Sequence, residues 1–96
     1  MEQADLVEDL NRRLARLTAP LWFTATAQGI SPDDKEIPQQ GTEILLAAVT
    51  WRDGQRLDHT VAYPIEDFER LGPEAIASAF VDASRQALPR GSATPG

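Results

Sequence analysis

The chain has 96 residues, which is enough for one domain with a single modest core and too few for two. Apolar residues make up 42% of it, a share typical of globular proteins, and the absence of cysteine excludes disulfides and thiolate metal sites. With 15 acidic residues against 9 basic ones, the net charge of −6 opposes binding to the phosphate backbone of nucleic acids.

The charge pattern of the amino end is not the one expected of an export signal. Its first residues, Met1 to Asp5, are acidic where a signal peptide is basic. No apolar run in the sequence approaches the length of a membrane span. We therefore expect a cytoplasmic protein that binds neither nucleic acid nor membrane.

Residues 3–17 predict an amphipathic helix. Acidic residues come early and arginines late, an order that the helix dipole favours. Pro20 disfavours helical angles at the residue before it, which predicts the end of the helix. The apolar residues at helical spacing are Leu6, Val7, Leu10, Leu14 and Leu17.

Residues 21–27 predict a first strand, because bulky and small polar side chains alternate along them. Alternate side chains of a strand point to opposite sides of a sheet. One side carries Leu21, Phe23 and Ala25, and the other carries Trp22, Thr24 and Thr26.

A polar connection follows at residues 28–42, which hold two prolines and two glycines. It contains an acidic cluster formed by Asp33, Asp34 and Glu36, with Glu43 just beyond it. Calcium sites use such oxygens, but the repeating ligand pattern of a calcium-binding loop is absent, so we expect solvated charges and no metal.

Residues 43–51 and 56–64 are rich in β-branched and aromatic residues, and Asp53-Gly54 lies between them. This pattern predicts a β-hairpin, because Gly54 accepts the positive φ that a tight turn demands. The second of the two runs alternates cleanly, whereas the first is apolar on both sides, as a central strand is.

The carboxyl half predicts two further helices. Residues 65–71 form a short one, which Gly72-Pro73 ends, and residues 73–88 form a long one. Residues 89–96 have the composition of a flexible C-terminal tail, so the single folded domain is residues 1–88. The predicted apolar stripe of the long helix is Ile76, Phe80, Ala83 and Ala87, with Val81 and Leu88 at its margin.

These elements predict an α+β fold of order α-β-β-β-α. The simplest arrangement is a two-layer sandwich, in which two helices cover one face of a three-stranded antiparallel sheet. The first strand is expected beside the second, because neighbours in sequence usually pair. The other face of the sheet is then the place to look for function, unless the connection at residues 28–42 or the short helix after Tyr63 folds over that face and covers it. The connection has few apolar residues with which to do so.

The composition of that face depends on the hairpin register, and two registers fit the sequence. A two-residue turn pairs Trp51 with Arg56 and turns Trp51 away from the core. A three-residue loop with a bulge slips the pairing by one, which puts Trp51 in the core and turns Ile44, Leu46 and Ala48 outward. In the first register the candidate partner-binding residues are Trp22, Thr24, Leu45, Val49 and Trp51.

The sequence carries no motif for catalysis or cofactor binding. His59 is the single histidine, and its strand position places it on the core side, where a structural role is the ordinary one. No glycine-rich phosphate loop and no serine in a nucleophile elbow is present. We expect a non-catalytic protein that binds no cofactor.

The predicted element order resembles that of double-stranded-RNA-binding domains. Those domains carry a basic cluster at the start of the last helix. Here that place holds Gly72-Pro-Glu-Ala-Ile76, and no Lys or Arg lies in the last helix before Arg85, so RNA binding is rejected. In size, charge and lack of cysteine the chain is also similar to secretion or assembly chaperones and to phage-type inhibitors such as anti-CRISPR proteins. Chaperones of this class dimerise and hold a partner segment, and some of these inhibitors present carboxylates where a nuclease expects phosphates.

The leading hypothesis is a non-catalytic protein-binding module, alone or as a homodimer, that acts through its sheet face and the free edge of strand one or three. Its partner is another protein or a second copy of the chain. The alternative is an acidic inhibitor or nucleic-acid mimic that places Asp33, Asp34, Glu36 and Glu43 in a basic groove. Salt distinguishes the two, because only the charge mimic loses its partner steeply as ionic strength rises.

Overall fold

A computed structural model of the chain describes residues 3–30 and 43–95. Its order of elements confirms the predicted α+β fold, including the short helix after the third strand. The elements are α1 (Gln3–Thr18), β1 (Thr24–Ile30), β2 (Glu43–Arg52), β3 (Gln55–Pro64), α2 (Ile65–Leu71) and α3 (Pro73–Ala87).

The three strands form one antiparallel sheet in the order β1-β2-β3, as predicted. The first strand begins later than expected and continues to Ile30. The delay has a local cause, because the Leu21 N–H donates to the Thr18 carbonyl at 2.9 Å and holds a turn after α1. The predicted alternation is unchanged, since Phe23 and Ala25 are buried and Thr24 is exposed.

The hairpin closes through a two-residue turn. Both Asp53 and Gly54 have positive φ, 53° and 78°, which is the conformation of a type I′ turn. Trp51 therefore pairs with Arg56, and Leu46 pairs with Val61. The alternative register with a three-residue loop is wrong, and Ile44, Leu46 and Ala48 face the core.

All three helices contribute side chains to the core on one face of the sheet. The first helix lies over β1 and beside α3, whereas α2 contacts β3 and α3. The predicted stripe of α3 is partly wrong, because Ala83 and Ala87 are exposed while Ala77 and Ser84 are buried. Leu17 of the first stripe is also 38% exposed. The fully buried side chains of largest volume are Phe23, Phe80, Leu10, Leu14, Ile44, Leu46, Thr50 and Ser84.

The outer edge of β1 is closed by a side chain from α1. The Asn11 Nδ2 donates to the Ala27 carbonyl at 3.1 Å, and its Oδ1 accepts from the Ala27 N–H at 2.8 Å. The same amide also donates to the Val7 carbonyl at 3.0 Å. Asn11 thus takes the place of a neighbouring strand at this residue.

Residues 89–95, expected to belong to a flexible tail, return along the sheet beside β2. The Trp51 N–H donates to the Ser92 carbonyl at 2.8 Å, and the Ser92 N–H donates to the Trp51 carbonyl at 2.7 Å. The buried Thr50 hydroxyl lies 2.9 Å from the Trp22 carbonyl and 3.3 Å from that of Ser92. Ser92 therefore occupies the position opposite Trp51 that β1 would reach if it began two residues earlier.

Replacing Asn11 with alanine should destabilise the fold. The substitution removes the only side-chain partners of the Ala27 backbone among the described residues, and we expect the free energy of unfolding to fall by about 1–3 kcal/mol. Urea denaturation monitored by circular dichroism measures this change. Arg12→Ala is the matched control, since it loses only an exposed pair with Glu8 and should cost about 0.5 kcal/mol or less. Equal losses in the two variants would contradict the role given to Asn11.

Tyr63 should make the fold sensitive to alkali. Its ring packs edge-on against Phe68 with centroids 6.0 Å apart, and burial raises the pKa of Tyr63 above its ordinary value of 10.0, with the Asp67 charge adding to the effect. The folded state therefore favours the neutral phenol. This contribution to stability is complete below the ordinary tyrosine pKa and is lost as pH rises through the higher folded value.

Urea denaturation at about pH 8 and pH 11 tests this expectation. The wild-type chain should lose more unfolding free energy between the two values than Tyr63→Phe, which has no phenol to ionise. Since Tyr63 is the single tyrosine, phenolate absorbance also follows its titration directly. Equal alkaline losses in the two chains would contradict this effect.

Candidate protein-binding surface

The side of the sheet opposite the core is called the outward face. Its residues follow from the register, because directly paired residues of an antiparallel sheet point the same way. Thr24, Val49 and Asp58 form one row across the three strands. The complete set is Thr24, Thr26, Gln28, Ile30, Glu43, Leu45, Ala47, Val49, Trp51, Arg56, Asp58, Thr60, Ala62 and Pro64.

The outward face has an apolar centre and a mostly polar border. The apolar β2 residues on it, Leu45, Ala47, Val49 and Trp51, are all half-buried. The residues that flank them on β1 and β3 are exposed, and apart from Ala62 they are polar or charged. The structure thus brings four of the five predicted contact residues, Thr24, Leu45, Val49 and Trp51, onto one surface.

Trp22, the fifth predicted residue, precedes β1 and is held by the tail. Its indole N–H donates to the Pro89 carbonyl at 3.0 Å, and the Arg90 guanidinium lies 4.6 Å from the centre of its ring. The ring also meets Phe23 edge-on at 5.4 Å and packs against the core. The tail therefore joins the two tryptophans at one end of the sheet, through the side chain of Trp22 and the backbone of Trp51.

Among the acidic residues of the alternative hypothesis the structure describes Glu43 alone, and the register puts it on the outward face. Asp33, Asp34 and Glu36 lie outside the described residues. Glu43 is half-buried at the start of β2, where it is paired with Ile30 on one side and Pro64 on the other.

His59 lies on the core side, as predicted. Its ring stacks on Phe80 at 5.6 Å with an interplanar angle of 18°. The Nε2 atom is buried and has no hydrogen-bond partner within the described part of the chain. Nor do any three described His, Cys, Asp or Glu side chains come together as a metal site would require.

The helical side has an open groove between α1 and α3. Arg13, Leu17, Glu74 and Ala77 contribute to its walls. Arg13 is already paired with Asp9 at 2.8 Å, and this hydrogen bond, together with the Asp9 charge, raises the pKa of the guanidinium. The groove walls therefore combine paired charges with single apolar side chains, an ordinary surface for two packed helices.

The packing of the tail against Thr50 and Trp51 can be tested at Gly91. A Cβ at this position would lie 2.5 Å from both the Thr50 Oγ1 and the Trp51 carbonyl oxygen, so Gly91→Ala must displace the tail. We expect a loss of about 1–3 kcal/mol of unfolding free energy and a red shift of tryptophan fluorescence as Trp22 becomes solvated.

Ser92→Ala is the control for Gly91→Ala, because the bonds of Ser92 to Trp51 come from its backbone. This variant should keep the fluorescence of the wild-type chain. The same spectrum and stability in both variants would contradict the tight seating of Gly91.

Comparisons with known proteins do not assign the chain to a family. It matches no protein-family model, no curated protein and no solved structure. Among the helices that the structure describes, none has the length and apolar character needed to cross a membrane. The function has to be inferred from the outward face and from the edges of the sheet.

Proposed function

We propose that this chain is a non-catalytic protein-binding module whose outward face docks on another protein. The contact would centre on Leu45, Val49 and Trp51, with Thr24 and Arg56 at its border. An apolar centre within a polar border is the usual anatomy of a protein–protein interface.

The observation that carries this proposal is the second apolar row of β2. In a two-layer protein a central strand needs one apolar face, toward the helices, and its other face is normally polar. The inward row, which includes Ile44, Leu46 and Ala48, already fills the core. The outward row of Leu45, Ala47, Val49 and Trp51 has no helix packed on it among the described elements. Burial against a partner accounts for this second row.

Charge plays a small part in the proposed contact. The face carries Arg56 and Asp58, whose charged groups lie 3.9 Å apart. At least half of each side chain is exposed to solvent. An exposed pair at this distance contributes little and is screened by salt. Binding is therefore expected to depend on apolar burial and to persist at high ionic strength.

The surroundings of His59 favour a non-catalytic role. General acid–base catalysis requires a histidine nitrogen within reach of the proton it transfers. Here the Nε2 is enclosed in the core face, stacked on Phe80 and without a described partner. The acidic-mimic alternative has three of its four residues outside the described ranges, so no described contact favours it. An assembly chaperone would be one form of the module proposed here.

Capture experiments with purified bait test the proposal. Val49→Asp places a charge at the centre of the outward face, and we expect it to weaken partner capture from native lysate by about tenfold or more. Ser78→Asp introduces the same charge on the exposed side of α3 and should leave capture unchanged. Circular dichroism confirms that both variants are folded.

Salt then identifies the kind of contact. Wild-type capture should be similar at about 0.1 M and 1 M salt, because apolar contacts are not screened. Equal capture by Val49→Asp and the wild-type chain would refute docking through this face. A steep loss at high salt would instead favour the acidic mimic.

A further inference from the structure

The two edges of the sheet differ in whether their backbone groups have hydrogen-bond partners. On the β1 side, Asn11 bonds both backbone groups of Ala27, and Ser92 bonds both backbone groups of Trp51. On the other side, β3 pairs with β2 and with no other described segment. An unpaired edge strand of ten residues is a ready template for another strand.

The bonds of Trp51 show which β3 groups face the open edge. Residues of a strand within an antiparallel sheet bond alternately to one neighbour and to the other. Because Trp51 bonds to Ser92, away from β3, its partner Arg56 is not bonded to β2 and turns its N–H and C=O to the open edge. Asp58 and Thr60 lie two and four residues after Arg56, so their N–H and C=O groups also point to the open edge.

We propose that this edge pairs with the same edge of a second copy of the chain, antiparallel and about a two-fold axis at Leu57. In this register Arg56 lies opposite Asp58 of the partner subunit, and Asp58 lies opposite Arg56 of the partner subunit. Each of these pairs exchanges both backbone hydrogen bonds. Opposite charges in directly opposed positions stabilise a strand pair. The edge is therefore complementary to itself.

Charge selects this register over its neighbours. An axis at Arg56 would oppose Arg56 to Arg56 of the partner subunit, and an axis at Asp58 would oppose Asp58 to Asp58 of the partner subunit. Both arrangements bring like charges together, which is unfavourable. An axis at His59 would oppose Arg56 to Ala62 of the partner subunit, and an axis at Thr60 would oppose it to Pro64 of the partner subunit. Among these positions the axis at Leu57 alone opposes a positive charge to a negative one.

The pairing also covers apolar surface at the end of the core. Leu57 is half-buried and packs against the core from the β3 side. On the axis it would meet Leu57 of the partner subunit, so each leucine would shield the other from water. The backbone bonds use the strand edge, and only Arg56 and Asp58 at the border of the outward face take part, so the dimer leaves the apolar centre of that face free.

Sedimentation equilibrium of the full chain, from about 10 to 500 μM, measures the association. We expect a monomer–dimer equilibrium. Arg56→Asp opposes two acids at each pair and Asp58→Arg opposes two bases, so each variant alone should dissociate about tenfold or more readily. An equimolar mixture of the R56D and D58R chains should form a heterodimer, because every opposed pair is again of opposite charge.

Two controls separate edge pairing from other causes. Arg56→Asp lowers the net charge of −6 by two and Asp58→Arg raises it by two, so general repulsion would weaken one dimer and strengthen the other. Leu45→Asp alters the outward face at a residue paired with Gln28 and Ala62, away from Arg56 and Asp58, and should leave the dimer intact.

The proposal would be overturned by a wild-type chain that stays monomeric across this range. It would also be overturned by R56D and D58R chains that dimerise as the wild type does, or by a mixture of them that stays monomeric. A dimer that Leu45→Asp dissociates but Arg56→Asp does not would place self-association on the outward face instead.

Discussion

The rest of the structure depends on two positive φ angles at Asp53 and Gly54. The turn they form joins β2 to β3 with no extra residue, and this sets the parity of every side chain in both strands. With one residue more in the turn, Leu46 would face outward and Trp51 would enter the core. The core, the outward face and the bonding pattern of the free edge are therefore three results of one local conformation. They would all change together.

Closure of the β1 side is achieved by two unrelated devices. Asn11 provides a side-chain amide whose donor and acceptor match those of a peptide group, so a helix residue can complete a strand. The tail provides real backbone at Ser92 and fits only because Gly91 has no side chain toward Thr50. Within residues 3–30 and 43–95, the β3 side has neither device. This asymmetry, together with the double apolar surface of β2, makes interaction with other chains the simplest account of the surface.

Patterns between near neighbours in sequence predicted most of the fold. The leucines of α1, the Asp53-Gly54 turn and the alternation of β3 each report a local preference, and their agreement led to the correct class and strand order. The predicted stripe of α3 was partly wrong because Ala83 and Ala87 are only weakly hydrophobic and so indicate the buried side of a helix poorly. Burial of the small Ser84 depends on how closely α3 packs on its neighbours. A buried serine can form its hydrogen bond within its own helix, and the Ser84 hydroxyl does so by donating to the Phe80 carbonyl.

The contacts of Asn11 and of the tail could not be predicted in this way, because they join residues far apart in the chain. One signal for Asn11 was present: it lies four residues after Val7, next to the apolar stripe, where a polar side chain needs a partner. For the contacts of the tail, composition carries no signal, since Gly, Ser and Pro suit both loose segments and close backbone packing. Four of the five candidate contact residues share a face because the hairpin has the two-residue turn, the register for which they were predicted. Trp22 does not, because its surroundings depend on the tail.

The path of the tail also separates the two ends of the molecule. Ser92 lies beside Trp51, next to the hairpin turn, whereas Leu6 of α1 lies near Ile65 and Phe68, beyond the far end of β3. The distance between these places is close to the length of a strand, roughly 25–30 Å. Circular permutation would therefore need a long linker rather than the few residues that suffice in domains whose termini meet. A pair of dyes on the two ends would, by the same geometry, report release of the tail as a change in energy transfer.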